Sequence, residues 1–331
     1  MRVVVLVKYV PDITSDLRFS TDHRVVREAG SGTLNELDEH AVEAALQLVE
    51  VAGQGRNDRA IAGQTRSEGA GASSGVGSAN PVHSGSGTPD GVVVEKDTTT
   101  NATPADAPLG KSADATAGEV IAITMAPDHA DLALRKAFQM GATRGIRLTD
   151  EALVDSDTFG TTQALTAAIR KLGDVEPIDV VVTGIASSDG ATGVLAALIA
   201  DELGWPLLSF ADSVKLDGDA VTITRHPDEV VETFRADLPV VLSVTDAANT
   251  VRTPNFKLIM AARKAKIETW TLADLDIDAD QVGAAGSRIA VVATTRIPAK
   301  PEAPRVFDDG AGSGARALVE FLTEKGLVNH E

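Results

Sequence analysis

Four short runs of branched apolar residues limit most tightly what this chain can fold into: Arg2–Val7 (RVVVLV), Glu119–Thr124 (EVIAIT), Asp179–Thr183 (DVVVT) and Pro239–Val244 (PVVLSV). They do not alternate apolar with polar, so each suits a strand covered on both faces, as in the centre of a parallel sheet. Helical periodicity fills the intervals. Glu36–Glu50 places Leu37, Ala41, Ala44, Ala45 and Leu48 on one stripe; Asp128–Met140 does the same with Leu132, Leu134 and Phe138, and Gly141 is a fitting stop. Thr158–Leu172 and Thr192–Leu203 read as further helices. Strands alternating with helices predict an α/β fold with a doubly wound, mostly parallel sheet. Ser213–Thr224 adds a β-hairpin around Asp217-Gly218, and RHPDEVVETFRAD adds an edge strand before the last buried one.

Composition removes several function classes. Lys and Arg number 30 against 48 Asp and Glu, a formal charge of −18, which repels nucleic acid at long range. Such acidity makes a solvated surface and suits a protein that must stay hydrated in concentrated salt. With no cysteine, the chain has no disulfide, thiolate metal site or thiol catalysis. The first apolar run is too short to span a bilayer, and the expectation is a soluble, cytoplasmic protein.

The segment from about residue 52 to 117 breaks the pattern. It is dominated by Gly, Ser, Ala, Thr, Asp and Pro, buries too little apolar surface to offset its ordering entropy, and reads as a disordered insertion. The expected organisation is an α/β nucleotide-binding domain from 1–51 and 118–270, the insertion at 52–117, and a C-terminal extension over 271–331 ending in the amphipathic ARALVEFLTEKGLV.

The loop GIASSDGATG, Gly184–Gly193, follows a buried strand and precedes a helix. Backbone amides at such a junction bind phosphate without a basic side chain. Ser187, Ser188, Gly190, Thr192 and Gly193 allow close approach, and Thr192 either donates a hydroxyl or caps the helix. Neither GxGxxG nor GxxxxGK[ST] is present, so a plain tight turn fits equally well. Asp189 reads as a solvated carboxylate or a cap unless it meets a ribose. The six histidines do not cluster, and no nucleophile–base set or metal-ligand spacing appears, so no catalytic residue and no metal is expected. In Asn249–Trp270, Arg252, Lys257, Arg263, Lys264 and Lys266 surround Phe256, Leu258, Ile259 and Met260. This is either a docking segment for an acidic partner or a helix with Ile259 and Met260 in the core.

Six segments together resemble the β subunit of electron transfer flavoproteins: RVVVLVKYVPD, LNELDEHAVEAALQL, EVIAITMAP with LRKAFQMGATRGIRL, GIASSDGATGVLAALIADELGWP, ITRHPDEVVETFRADLPVVLSV and RTPNFKLIMAARKAKIE. The resemblance implies a non-catalytic subunit of a heterodimer whose α subunit carries the redox FAD. It implies AMP in this subunit, or a second FAD if the protein belongs to the bifurcating branch. Adenine-nucleotide contacts then fall on Leu6, on Asn35, Glu36, Leu37 and Asp38, on Met125, and on Ser187, Ser188, Asp189, Gly190, Ala191, Thr192, Gly193, Val194, Leu195 and Ala196. Partner docking falls on Phe256 as apolar anchor, with Arg252, Lys257, Leu258, Ile259 and Met260. The implied partners are the α subunit, flavin dehydrogenases and a membrane quinone oxidoreductase. The recognition segment lacks the family's usual Leu-Pro, and three places near the expected phosphate also depart from the family pattern: Ile185-Ala186 replace a Lys-Gln pair, Val194-Leu195-Ala196 replace a Gln-led triplet, and Asn35-Glu36-Leu37 replaces Asn-Pro-Phe. All three remove polar donors or add negative charge near the expected phosphate. A stand-alone ATP- or AMP-binding module, like the universal stress proteins, is the alternative of another class.

Overall fold

A computed structural model describes residues 1–12, 14, 17–67, 118–295, 297–298 and 305–328, with backbone alone for 55–67. In chain order its elements are β1 (Arg2–Leu6), β2 (Tyr9–Pro11), β3 (Gly32–Leu34), α1 (Glu36–Ser67), β4 (Glu119–Met125), α2 (Asp131–Met140), β5 (Arg144–Leu148), α3 (Thr158–Val175), β6 (Val180–Gly184) and α4 (Leu195–Leu203). They continue with β7 (Leu207–Ala211), β8 (Ser213–Asp217), β9 (Ala220–Arg225), β10 (Glu232–Asp237), β11 (Val240–Val244), α5 (Phe256–Lys264), β12 (Ile267–Trp270), α6 (Leu272–Leu275), α7 (Gly283–Gly286) and α8 (Ser313–Glu324). Residues 1–290 form one compact unit and 291–331 another.

The main sheet has seven strands in the order β12-β5-β4-β1-β6-β11-β7, and every pairing is parallel. The doubly wound α/β fold is therefore present. All four predicted apolar runs supply central strands: β1, β4, β6 and β11. Their alternate residues feed two cores. Val3, Val5, Val180, Val182 and Leu242 pack with Ala41, Ala45, Leu134 and Phe138 of α1 and α2. Val4, Leu6, Val181 and Val241 pack with Leu165, Ile169 and Ile199 of α3 and α4. Burying both faces of four Val-rich strands supplies the main apolar driving force. The hairpin is present as β8–β9, with Gly218 at φ +64° opening its two-residue turn, and β10 is the edge strand beside it.

Several boundaries differ from the sequence reading. Strands β5 (RGIRL) and β12 (IETW) lie at one edge of the sheet, where charged residues alternate with apolar ones. Arg144 on β5 pairs with Glu268 on β12 at 2.6 Å, so the edge carries an ion pair where a central strand carries valine. Helix α1 runs to Ser67, sixteen residues beyond the predicted break. That stretch holds no proline, and its Ala, Arg and Gln residues sustain a helix despite Gly53, Gly55 and Gly63. The rest of the proposed insertion, 68–117, lies outside the described residues. In α2, Leu132 is exposed rather than on the buried stripe, while Leu134 and Phe138 are in the core. Gly141 ends that helix at φ +130°, its amide reaching the carbonyls of Ala137 and Phe138. Residues 271–290 belong with the α/β unit rather than with the extension, because Leu272, Leu275 and Val282 are buried in the second core. The C-terminal unit contains α8, none of whose residues is buried.

Asp157 fastens residues 288–289 to the start of α3. Its carboxylate accepts from the amides of Phe159 and Gly160, each at 2.9 Å, and from those of Arg288 (2.6 Å) and Ile289 (2.9 Å). Burial acts to raise its pKa, and the four amides outweigh that and hold it below the usual carboxylate range. Its contribution is thus present above the ordinary carboxylate pKa and is lost as pH falls through the lowered one. Asp157→Ala is expected to cost about 1–2 kcal/mol at neutral pH, and less at an acid pH below the ordinary carboxylate pKa, where the anion's contribution is being lost. Urea unfolding at the two pH values checks this.

Candidate functional site at the switch point of the sheet

From β1 the chain winds outward through β4 and β5, then returns to place β6 on the other side of β1. The order reverses between β1 and β6, and the crevice beyond their carboxyl ends is where open α/β sheets bind ligands. The first turn of α1 closes this end. The Asn35 amide donates to the Lys8 carbonyl (2.9 Å), and the Lys8 amide donates to Asp38 Oδ2 (2.8 Å). Asn35 also ties down the loop after β6, its Nδ2 donating to the Ala186 carbonyl (3.0 Å) and its Oδ1 accepting from the Ser188 amide (3.1 Å). Gly184 is required here: a Cβ would lie 2.7 Å from Asp38 Oδ1 and 2.8 Å from the Leu37 carbonyl carbon.

Asp189 is neither solvated nor a helix cap. Its side chain is 1% exposed, and its two oxygens accept from Lys8 Nζ (2.8 Å) and Arg27 Nε (2.6 Å). Lys8 Nζ also donates to Ser187 Oγ at 3.0 Å. Burial acts to raise the Asp189 pKa; the two cations outweigh it and hold the carboxylate ionised. The same burial lowers the pKa of Lys8, with Asp189 opposing. Lys8 and Arg27 keep 42% and 35% of their side chains exposed, so both still face solvent beside the loop. Sequence reasoning missed these two as site residues. Lys8 stands in the quoted VKYV, but nothing in the spacing marks Arg27, which is 162 residues from its partner.

Thr192 does not cap α4. The helix starts three residues later, at Leu195, with Val194 as its N-cap residue making no side-chain cap bond. The chain instead turns through left-handed Ala191 (φ +46°) and Gly193 (φ +65°). Among the described residues the amides of Thr192, Gly193 and Val194 meet no acceptor. Thr183, at the end of β6, has a buried hydroxyl with no partner. A buried hydroxyl and three successive loop amides without acceptors in the chain fit an anionic ligand such as a phosphate ester. Leu6 and Ala196 are buried in the second core, and Met125 and Leu195 are partly buried against it. Glu36 and Val194 are exposed at the rim. Asp38 is buried, and burial pushes its pKa up to about 7 against the hydrogen bonds from Asn35 and the Lys8 amide. No group of acidic or histidine side chains among the described residues is arranged to hold a metal ion.

The docking segment is a second site. Asn255 caps α5 through the Leu258 amide (2.9 Å), leaving Phe256 77% exposed at the first helical position. Met260 is also exposed, Leu258 and Ile259 are partly buried, and Ala262 alone of this helix is buried, so Ile259 and Met260 are not core residues. Lys257, Arg263, Lys264 and Lys266 are exposed, and no ion pair is made by any of them among the described residues. Arg252 is different. It is tied to Glu43 and Glu50 of α1 and is not a free docking cation.

The sequence pattern of the electron transfer flavoprotein domain matches residues 90–275. The β subunit of the electron transfer flavoprotein of Mycobacterium tuberculosis (strain ATCC 25618 / H37Rv) is 32% identical over 327 residues, covering 98% of this chain and 99% of its own. That of Thermoanaerobacterium thermosaccharolyticum is 32% identical over 212 residues, 64% of this chain and 80% of its own. Protein FixA of Bradyrhizobium diazoefficiens is 32% identical over 210 residues, 62% and 73%. This chain belongs to the electron transfer flavoprotein β-subunit family. It is an electron-transfer protein of flavin-based electron transport, and β-subunit membership implies an α-subunit partner. No described helix is long and apolar enough to cross a membrane.

The Asp38 carboxyl makes pH a probe of the β-subunit's switch point. A folded-state pKa raised from 3.8 to about 7 means the folded protein keeps a proton that the unfolded chain has lost. Its contribution to stability therefore falls as pH rises from about 4 to about 7, by at most about 1.4 kcal/mol per pH unit for one proton. Asp38→Asn keeps an acceptor for the Lys8 amide and is expected to remove that slope. Chemical denaturation across pH 4.5–7.5, at about unit steps, gives the measurement.

Proposed function

We propose that this chain is the cytoplasmic base of a one-to-one heterodimer with an FAD-bearing α subunit, holding AMP at the switch point. The complex carries electrons from flavin dehydrogenases towards a membrane quinone oxidoreductase. The FAD supplies the redox chemistry; this chain binds, orients and docks. The observation that carries the nucleotide reading is that one strand–loop segment holds donors without acceptors, the Thr192, Gly193 and Val194 amides and the Thr183 hydroxyl, and that its Asp189 holds Lys8 and Arg27 against the same loop. With Asp189 neutralising one of the two cations, the cluster carries about one net positive charge, which matches a monophosphate better than a longer polyphosphate. The side-chain donors absent at Ile185, Ala186 and Val194 are replaced by backbone donors and by cations from other segments.

The exposed apolar residues of α8, Leu318, Val319 and Phe321, offer the α subunit a face, and those of α5 offer one to a dehydrogenase. Membership in the β-subunit family makes the stand-alone nucleotide module the weaker reading. The nucleotide is tested by co-purifying the chain with its α subunit, heat-denaturing the complex and chromatographing what is released. One FAD and one AMP per heterodimer is the expected result; two FAD and no AMP would make the site a second redox centre. For docking, Phe256→Ala is expected to weaken electron acceptance from the dehydrogenase with flavin content unchanged. Parallel loss of flavin and activity would place Phe256 in the fold instead.

A further inference from the structure

A nine-residue helix that buries only Ala262 gains little from a core, and isolated helices of that length are marginal in water. Helix α5 is instead fastened at both ends. On the amino side Arg252 makes a two-pronged pair with Glu43, Nε to Oε2 at 2.7 Å and Nη2 to Oε1 at 3.0 Å, and its amide reaches the same carboxylate at 3.2 Å. Its remaining arm reaches Glu50 at 2.8 Å, one side of α1 thus supplying both anchors. The Glu43 side chain is buried, so this pair is poorly screened by solvent. Just before it Asn249 donates to the His40 carbonyl (2.9 Å) and lies 3.0 Å from His40 Nδ1. On the carboxyl side Arg135 of α2 donates to the carbonyls of Ala262 (2.7 Å) and Ala265 (2.5 Å), acceptors that a helix end leaves unpaired.

The result is a fixed outward stripe. Phe256, Met260 and Lys264 fall at i, i+4 and i+8, one above the other, with Lys257 and Arg263 beside them, all exposed. An apolar anchor between unpaired cations fits an acidic partner surface with an apolar socket. A contact of this kind gains affinity when its geometry is set before the encounter.

We propose that Arg252 and Arg135 are positioning residues for docking: clamping α5 to α1 and α2, they present Phe256 and Met260 without touching the partner. The inference rests on α5 being the docking element and adds what holds it in place. Arg252 thereby changes role, from a contact cation to an internal clamp, and it shares α1 with the nucleotide site.

The test uses the αβ heterodimer and a flavin dehydrogenase that reduces the wild-type complex, with rate followed against dehydrogenase concentration. Arg252→Gln is expected to raise the half-saturating concentration about tenfold while leaving the limiting rate and flavin content unchanged. Added to Phe256→Ala, it is expected to cost clearly less than it does alone, since both act through one contact surface. Because Arg252→Gln orphans the buried Glu43 and can fail to fold, Arg135→Gln repeats the experiment from the other end of the helix. An unchanged half-saturation in both variants would overturn the inference, as would losses that simply add to that of Phe256→Ala. A Phe256→Ala variant with wild-type half-saturation would instead overturn the docking reading itself, so the two failures are distinguishable.

Discussion

The hydrogen bond from the Lys8 amide to the buried Asp38 carboxyl lies where the two windings of the sheet meet. A parallel sheet that reverses direction leaves backbone donors and acceptors at the ends of its central strands, and these must find partners or water. Here the first turn of α1 meets that demand: Asn35 takes the Lys8 carbonyl and the loop after β6, while Asp38 takes the Lys8 amide. The fit is close enough that Gly184 admits no side chain. The cost is a buried carboxyl group, whose burial raises its pKa rather than leaving an unpaired charge. Closing the fold in this way places a polar, small-residue loop at the mouth of the crevice. Fold closure and site formation are therefore one arrangement.

Charge is distributed by the same economy. In a chain with 48 acidic and 30 basic residues, an arginine finds a carboxylate almost anywhere. Arg2 with Glu119, Arg144 with Glu268, Arg225 with Glu232 and Arg252 with Glu43 all join separate segments at 2.6–2.8 Å. Pairs that are partly buried and two-pronged do more than surface pairs, because the planar guanidinium loses less freedom per bond and is less screened. Against that background the unpaired cations of α5 and Lys266 stand out. They give a strongly acidic protein a face able to attract an acidic surface, and attraction there raises encounter rates more than final affinity.

What the sequence made legible follows from the range of the interactions. β1, β4, β6 and β11 were readable because each is buried on both faces, and continuous valine is a local signal. β5 and β12 were not, since the edge strand and the one beside it mix Arg and Glu into their runs and are recognisable only next to each other. The loop Gly184–Gly193 was correctly singled out as a strand–helix junction, yet the helix start was placed three residues early. Thr192 is a favoured cap, and nothing in the string shows that Ala191, a residue with a Cβ, takes the left-handed turn. Asp189 was misread for a different reason: solvated loop carboxylates are the rule, and the two cations that bury it lie 162 and 181 residues away. Ile259 and Met260 satisfied an amphipathic pattern, but the pattern cannot say whether a core exists for it to face.

Helix α1 draws these observations into one geometry. Its first turn, at Asn35 and Asp38, belongs to the switch point, and His40, Glu43 and Glu50 on later turns hold the segment that leads into α5. From Asp38 to Glu50 is twelve residues, about 18 Å along the axis at 1.5 Å each. Over that length the helix is packed on the sheet through Ala41, Ala45 and Leu48, so it behaves as a packed rod rather than a hinge. A ligand bound at the crevice therefore needs no chemistry to matter at the docking face. Under the proposed function, a nucleotide held by the loop after β6 would steady the first turn of α1 through the Asn35 bonds to Ala186 and Ser188, and with it the element on which that face is mounted.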